Sequence, residues 1–295
     1  VGYGPVTCSV NPGASRGDVA PRPVRRTLQV LVAGGGPAGM HAASLAAHMG
    51  HEVTLVEKRT SLGGQLDLAS TGPHKDAVHR LWRHLEEEAR GAGVEVITGT
   101  AVDRELVARL DPERIVDATG SAPRHAPVAG SPSFPVRTVD EALRTSLPPD
   151  GRIVVLGGGP GGVETAHAVA ARDRRVVLVE ARPRIGVGMV PHTRFHAERL
   201  LRDAGVSMVT RVKAAVAEGD RLRLTLRRGE EVIEGVSLLI LAIGRESIGL
   251  DPAIYAHSRA CVVKVGDAVR PASILEALET ARRSAEELVE LPAGG

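Results

Sequence analysis

The chain states one pattern twice. Residues 28–40 read LQVLVAGGGPAGM and residues 153–164 read IVVLGGGPGGVE, each an apolar run that stops at a glycine-rich turn. Gly34, Gly36 and Gly39 match Gly157, Gly159 and Gly162 at an offset of 123 residues. VTLVEK and VVLVEA place Glu57 and Glu180 at the same offset, and DATG (117–120) precedes LAIG (241–244) by 124. A lone G-x-G-x-x-G is weak evidence. Here each copy lies between an apolar strand pattern and an Ala-rich helix pattern, the context a dinucleotide-binding turn requires. The first glycine permits the tight turn, the second lets the backbone approach a pyrophosphate, and the third lets helix and strand pack closely. The helix N-terminus offers free N–H groups and about half a positive charge to the phosphates. An acid 23 residues after the first glycine, Glu57 or Glu180, is placed to take ribose hydroxyls. Two such sites in one chain suggest that electrons pass from one bound cofactor to another.

The rest of the chain fits around these copies. Strands are expected at 28–33 and 52–57, with a helix at 37–49 between them that Gly50 ends. A helix at 75–91 and strands at 94–97 and 114–118 follow. Residues 62–75 (LGGQLDLASTGPHK) show no counterpart in the second copy and read as an insertion with its own task. VRTVDEAL (136–143) reads as a short strand and a helix turn within a proline-rich connection. The second unit repeats strand, helix and strand at 152–157, 160–172 and 175–180. A helix at 192–204 and a strand at 206–210 come next. Between 211 and 236 the period changes to two, with Leu222, Leu224 and Leu226 alternating with Arg221, Arg223 and Arg227, as in a half-exposed antiparallel meander. Strands at 236–243 and 261–265 and a helix at 271–290 complete the chain. Apolar strands alternating with helices indicate a doubly wound α/β fold with two Rossmann-like domains, the second inserted in the first. The expected divisions are a linker or arm at 1–26, one domain at 27–145 and 245–295, and the other at 146–244.

Aromatic residues make up 2% of the chain, so Val, Leu, Ile and Ala must fill its cores. The net charge of +2 comes from scattered arginines alternating with acids, with Lys58, Lys75, Lys213 and Lys264 the only lysines. That pattern belongs to solvated helix faces, and no nucleic-acid partner is expected. No apolar run approaches the roughly 20 residues of a membrane span. Cys8 and Cys261 cannot make a disulfide framework, and a cytoplasmic compartment is expected. The chain begins at Val1, which suggests a processed or truncated piece.

The two cradles need not hold the same cofactor. Gly63, Gly64 and Gln65 follow the first and offer to wrap a large group beyond the pyrophosphate, as does Val265-Gly266-Asp267 from the far end. These additions favour FAD in the first site. The second lacks them and suits a transient cofactor, NAD(H) or NADP(H). Glu180 favours NAD(H), because a carboxylate repels a 2′-phosphate, while Arg182 and Arg184 just beyond could attract one.

The paired sites, with DATG and LAIG closing each half, resemble the glutathione-reductase-like flavoprotein fold. PVTCSVNP (5–12), LGGQL (62–66), VRTVDEAL, GGGPGGVE and VGD–ILEAL (265–278) are similar to the C-terminal half of the NADH:flavin oxidoreductase, or old yellow enzyme, family that contains 2,4-dienoyl-CoA reductase and trimethylamine dehydrogenase. The resemblance covers nearly the whole chain and is looser over 184–260. It implies that Gly34, Gly36, Pro37, Ala38, Gly39, Glu57, Lys58, Gly64, Gln65, Thr119, Gly120 and Asp267 bind FAD. Gly157, Gly159, Gly162, Glu180, Arg182 and Gly244 would bind the nicotinamide dinucleotide. Full-length members carry an N-terminal β/α barrel with FMN and a four-iron, four-sulfur cluster, and Cys8 stands where the last cluster ligand would be. A cluster needs four thiolates, so Cys8 would ligate one only with an upstream segment. The chain is then expected to be the reductase half of such an enzyme, taking electrons from NAD(P)H through FAD to an electron-accepting barrel. No catalytic side chain is expected, because hydride transfer between stacked rings depends on geometry.

Without a C-x-x-C, a redox-disulfide enzyme is disfavoured. Cys261 is expected to be a small buried hydrophobe. His192 and His196 are four apart but lack a visible third ligand, which favours a surface role over a metal site. Trp82 is expected in a core or an interface. The alternative in a different class is a non-catalytic scaffold that binds only ADP or a dinucleotide.

Overall fold

The computed structural model describes Cys8, Val24 and residues 26–289, the side chains of 288 and 289 aside. The expected arm at 1–26 therefore lies almost wholly outside the described residues. The chain divides into two compact units. The first comprises the residues up to 70, 76–122 and those from 246 onward; the second comprises 71–75 and 123–245. The second is thus inserted in the first.

In chain order the first unit supplies β1 (Gln29–Ala33), α1 (Pro37–His48), β2 (Glu52–Glu57), α2 (Gln65–Ala69), α3 (Asp76–Gly91), β3 (Glu95–Thr98), α4 (Arg104–Leu110) and β4 (Arg114–Asp117). The chain leaves through β5 (Ser121–Pro123). The second unit then builds β6 (Ala129–Pro132), β7 (Val136–Thr138), α5 (Val139–Arg144), β8 (Arg152–Leu156), α6 (Pro160–Ala170), β9 (Arg175–Val179), α7 (Pro191–Asp203) and β10 (Ser207–Val209). It ends with β11 (Ala214–Gly219), β12 (Arg221–Thr225), β13 (Glu230–Ile233) and β14 (Val236–Leu241). The chain returns through β15 (Arg245–Ser247) to α8 (Pro252–Tyr255), β16 (Cys261–Lys264), a 3-10 turn at Gly266–Ala268 and α9 (Ile274–Val289).

The first unit holds a parallel sheet in the order β16-β4-β1-β2-β3. Four of the five β1 residues are buried, as a parallel strand covered on both faces requires. The chain runs outward from β1 in both directions, so the sheet reverses between β1 and β4. Ligands of such folds bind beyond the carboxyl ends of the strands at that point. Small residues on α1 let it lie close: Met40, Ala43 and Ala46 are buried in one core with Leu278 and Ala281 of α9 and Leu85 of α3.

The second unit repeats the plan with a parallel sheet in the order β10-β9-β8-β14-β7, reversing between β8 and β14. A four-stranded sheet, β13-β12-β11-β6, adds the meander. Leu222 and Leu224 are buried there, while Arg223 lies between Glu218 and Glu230 on the outer face.

Three readings need correction. Residues 123–145, expected with the first domain, lie in the second unit, because β7 pairs with β14 at Val136↔Leu239 and Thr138↔Leu241. Cys261 is exposed rather than buried, because β16 is the edge of its sheet. Three helices, α2, α4 and α8, and three short strands, β5, β6 and β15, escaped the reading. Of these, α4 is a short helix whose Asp103 side chain accepts the Leu106 N–H at 2.8 Å. No helix among the described residues is long and apolar enough to cross a membrane.

Candidate dinucleotide-binding sites

Each glycine turn is built by close approach. Gly34 has φ +111°, and a Cβ there would lie 2.4 Å from the Ala118 carbonyl oxygen at the end of β4. A Cβ on Gly39 would lie 1.9 Å from the Gly34 carbonyl oxygen, which fixes the distance between helix and turn. Gly36 differs: nothing stands within 4 Å of its Cβ position. It is the N-cap of α1, no side chain caps the helix, and Pro37 follows at the first position. The first amides of α1 thus have no side-chain cap and start from an uncrowded glycine, an arrangement that accepts an anion.

The second turn repeats these relationships. Gly157 has φ +114° and would place a Cβ 2.3 Å from the Ala242 carbonyl oxygen, and Gly162 one 1.8 Å from the Gly157 oxygen. Gly159 again meets nothing within 4 Å and heads α6 without a side-chain cap. Both turns thus leave their N-cap glycine open to close approach.

The two glutamates hold the turns. Glu57 Oε2 accepts the Gly35 N–H at 2.7 Å and Oε1 the Arg59 N–H at 2.9 Å. Glu180 Oε2 accepts the Gly158 N–H at 2.6 Å and Oε1 the Arg182 N–H at 2.7 Å. Gly35 and Gly158, the middle residues of each triplet, were missed by the fingerprint. A Cβ on Gly35 would lie 2.4 Å from Leu62 Cδ2 and 3.1 Å from Glu57 Cβ, and one on Gly158 would lie 2.9 Å from Glu180 Cβ.

The structure corrects one part of the reading that residues 62–75 lack a counterpart: residues 62–64 have one. Gly63 N donates to the Gly35 carbonyl at 2.8 Å, and Gly186 N donates to the Gly158 carbonyl at 2.6 Å. Leu62 and Ile185, each buried, precede these glycines at the same 123-residue offset. The second loop, IGVG, carries one residue more than LGG, which hid the match. The loops diverge just after. Gln65 Nε2 donates to Ser121 Oγ at 3.1 Å and to Asp267 Oδ2 at 3.0 Å, and Ser121 Oγ donates to the same Asp267 oxygen at 2.7 Å. Gln65, Gly64 and Asp267, expected together, are therefore near one another; Ser121 gave no signal in the sequence. Arg59 steadies this loop by donating to the Gly64 carbonyl at 3.1 Å and to Asp67 at 2.8 Å.

The DATG segment closes the first site from below. Asp117 is fully buried, and its Oδ1 accepts the Thr119 hydroxyl at 2.6 Å. Its Oδ2 accepts the Leu250 N–H at 3.0 Å. The Thr119 hydroxyl is thus engaged in bracing the turn. Gly120 and Gly244 both have positive φ, +82° and +102°. In the second unit a cavity of about 350 Å³ opens where β7 and β14 end, at Thr138 and Leu241, with His125, Arg137 and Glu141 on its wall. Glu141 caps α5, and the Thr138 backbone N–H and hydroxyl hold its carboxyl below the usual range.

Lys58, Arg182 and Arg184 are exposed, as are His192 and His196. Cys8 is half-buried. Among the described residues no group of three His, Cys, Asp or Glu side chains is placed to hold a metal.

Comparison with known proteins agrees with this geometry. The chain is 34% identical over 282 residues to an NADH oxidase of Thermoanaerobacter brockii, covering 92% of this chain and 43% of that protein. It is 40% identical over 152 residues to a bilirubin reductase of Mediterraneibacter gnavus, covering 52% of this chain and 24% of that protein. It spans less than half the length of either. Among solved structures, a 2-naphthoyl-CoA reductase superposes with a TM-score of 0.86 at 24% identity, over 97% of this chain and 44% of that one, a likeness of fold. The family described as pyridine nucleotide-disulphide oxidoreductase matches residues 28–264, and the chain belongs to it.

Proposed function

We propose that the first unit holds FAD, that the second admits NAD(H) in preference to NADP(H), and that the chain is the NAD(P)H-oxidising half of a longer flavoenzyme. The observation that carries this reading is the repeated cradle: two uncapped helix N-termini, each behind an open glycine and an anchored glutamate. When bound, FAD supplies the two-electron chemistry by which a nicotinamide dinucleotide is oxidised. The protein's share is to bind and orient. Gly36, Pro37, Ala38 and Gly39 receive the first pyrophosphate; Glu57 faces its ribose; Gly64, Gln65 and Asp267 line the far side, with Lys58, Thr119 and Gly120 around them. Gly157, Gly159, Gly162, Glu180, Arg182 and Gly244 take the corresponding parts in the second unit. Glu180 disfavours a 2′-phosphate by charge. The chain carries no C-x-x-C, so electrons leave for something other than a disulfide within it.

The greater length of the relatives is compatible with an acceptor outside these residues, and the resemblance to the 2,4-dienoyl-CoA reductase group makes that acceptor a barrel with FMN and an iron–sulfur cluster. Cys8 is one thiolate, and the residues present do not by themselves fit a cluster. Heating the purified chain and identifying the released nucleotide by chromatography tests the assignment. FAD at about one per chain is expected. ADP alone would favour the scaffold reading.

A further inference from the structure

This inference rests on FAD occupying the first cradle. We propose that Gln65 is the positioning residue that makes one of two matching cradles retain its dinucleotide, by fastening the loop over the pyrophosphate to Ser121 and Asp267. The two loops follow the same path through Gly63 and Gly186, each hydrogen-bonded to the middle glycine of its turn. Both continue through a second glycine of positive φ, Gly64 and Gly188. A Cβ on Gly64 would lie 2.8 Å from Gly36 Cα, so this part of the loop packs against the backbone of the N-cap glycine, beside its open side. The next residue separates the copies: Gln65 in the first, Met189 in the second.

Gln65 joins segments far apart in the chain. Its amide reaches Ser121 and Asp267, 56 and 202 residues away. The other Asp267 oxygen accepts the Ala272 N–H at 3.1 Å, which ties the same clasp to the approach to α9. The Met189 side chain has no hydrogen to donate, and the residue after it, Val190, is 58% exposed. Ser121 and Asp267 also have no such counterparts in the second unit: the residue 124 beyond Ser121 is Arg245, which pairs with Asp140 at 2.6 Å. Lifting the first loop must break two donated hydrogen bonds, one of them to a carboxylate. Among the described residues, Met189 supplies no side-chain hydrogen bond of this kind to the second.

The test is the release rate of FAD from the purified, flavin-loaded chain, followed by the rise of flavin fluorescence after dilution. Gln65→Met installs the residue of the second cradle and should speed release roughly tenfold or more, the loss expected for two such bonds. Ser121→Ala removes one of the two acceptors and should speed release by roughly two- to fivefold. The melting temperature of each flavin-free variant should stay near that of the parent. Release from Gln65→Met at the parent rate overturns the proposal while leaving the FAD assignment intact. So does faster release matched by an equal loss of flavin-free stability with Ser121→Ala unchanged. A parent chain that holds no flavin overturns the assignment itself, and this proposal with it.

Discussion

The Glu57 carboxylate and the Gly35 amide are 2.7 Å apart, and Glu180 and Gly158 repeat the contact at 2.6 Å. One carboxylate in each unit therefore fixes the middle of a glycine turn with one oxygen and the backbone two residues beyond itself with the other. Replacing Glu57 by Gln leaves a single acceptor oxygen for two backbone donors, Gly35 and Arg59. Glu57 is 6% exposed, so water does not make up the loss. Glu57→Gln should cost about 1–3 kcal/mol, read as a lower denaturant midpoint, with weaker flavin retention. An unchanged midpoint would show that the carboxylate does not support the turn.

Close approach, rather than turn flexibility, fixes the third glycine of each cradle. Gly39→Ala and Gly162→Ala would force a methyl group to within 2 Å of a carbonyl oxygen, at 1.9 and 1.8 Å before relaxation. Each should destabilise the chain by about 1–3 kcal/mol and displace a helix N-terminus. Thermal melts should show the loss, and Gly39→Ala alone should also lose flavin.

His41 makes the first unit sensitive to acid. Its imidazole is 9% exposed on α1, and neither ring nitrogen has a partner. Burial, then Arg282 of α9 and His84 of α3, lower its pKa from 6.5 to about 4, against a smaller opposing effect of Glu279. The unfolded chain takes up this proton near pH 6.5 and the folded chain only near pH 4. Stability is therefore full above pH 6.5 and falls as pH drops toward 4, by about 3 kcal/mol at the end of that window. His51 and His167, whose pKa values burial also lowers, add in the same direction. His41→Leu should flatten the dependence, measured as denaturant midpoints between pH 7 and about 4. The same slope in the variant would exclude His41 as its main source.

Trp82 reports on the loop over the first cradle. A Cβ on Gly63 would lie 2.4 Å from the indole ring. Gly63 also has φ +113°, which an L side chain rarely adopts. Gly63→Ala should shift the emission of Trp82, the one tryptophan of the chain, and lower the melting temperature. Unchanged emission would contradict this packing.

Much of this was legible in the sequence. The apolar runs before Gly34 and Gly157 announced buried parallel strands, and the spacing of three glycines and one glutamate announced each cradle. Contacts that depend on space rather than pattern were not legible. Gly35 is required by Leu62 and Glu57, and Gly158 by Glu180, side chains more than 20 residues away. Val187 lengthens the second loop and hides its likeness to LGG. Ser121 has a role only because Gln65 and Asp267 converge on it. β7 precedes its unit's first central strand but pairs with the last, so the domain boundary fell too late. Cys261 sits in an apolar run, and the run alone does not reveal that its strand lies at the sheet edge.

The most direct measurement is an anaerobic spectrum of the purified chain before and after one equivalent of NADH. The account predicts a flavin absorption band that bleaches on addition, faster with NADH than with NADPH, and that returns when an electron acceptor is supplied. A colourless chain, or a flavin band that NADH and NADPH both leave unchanged, would contradict it.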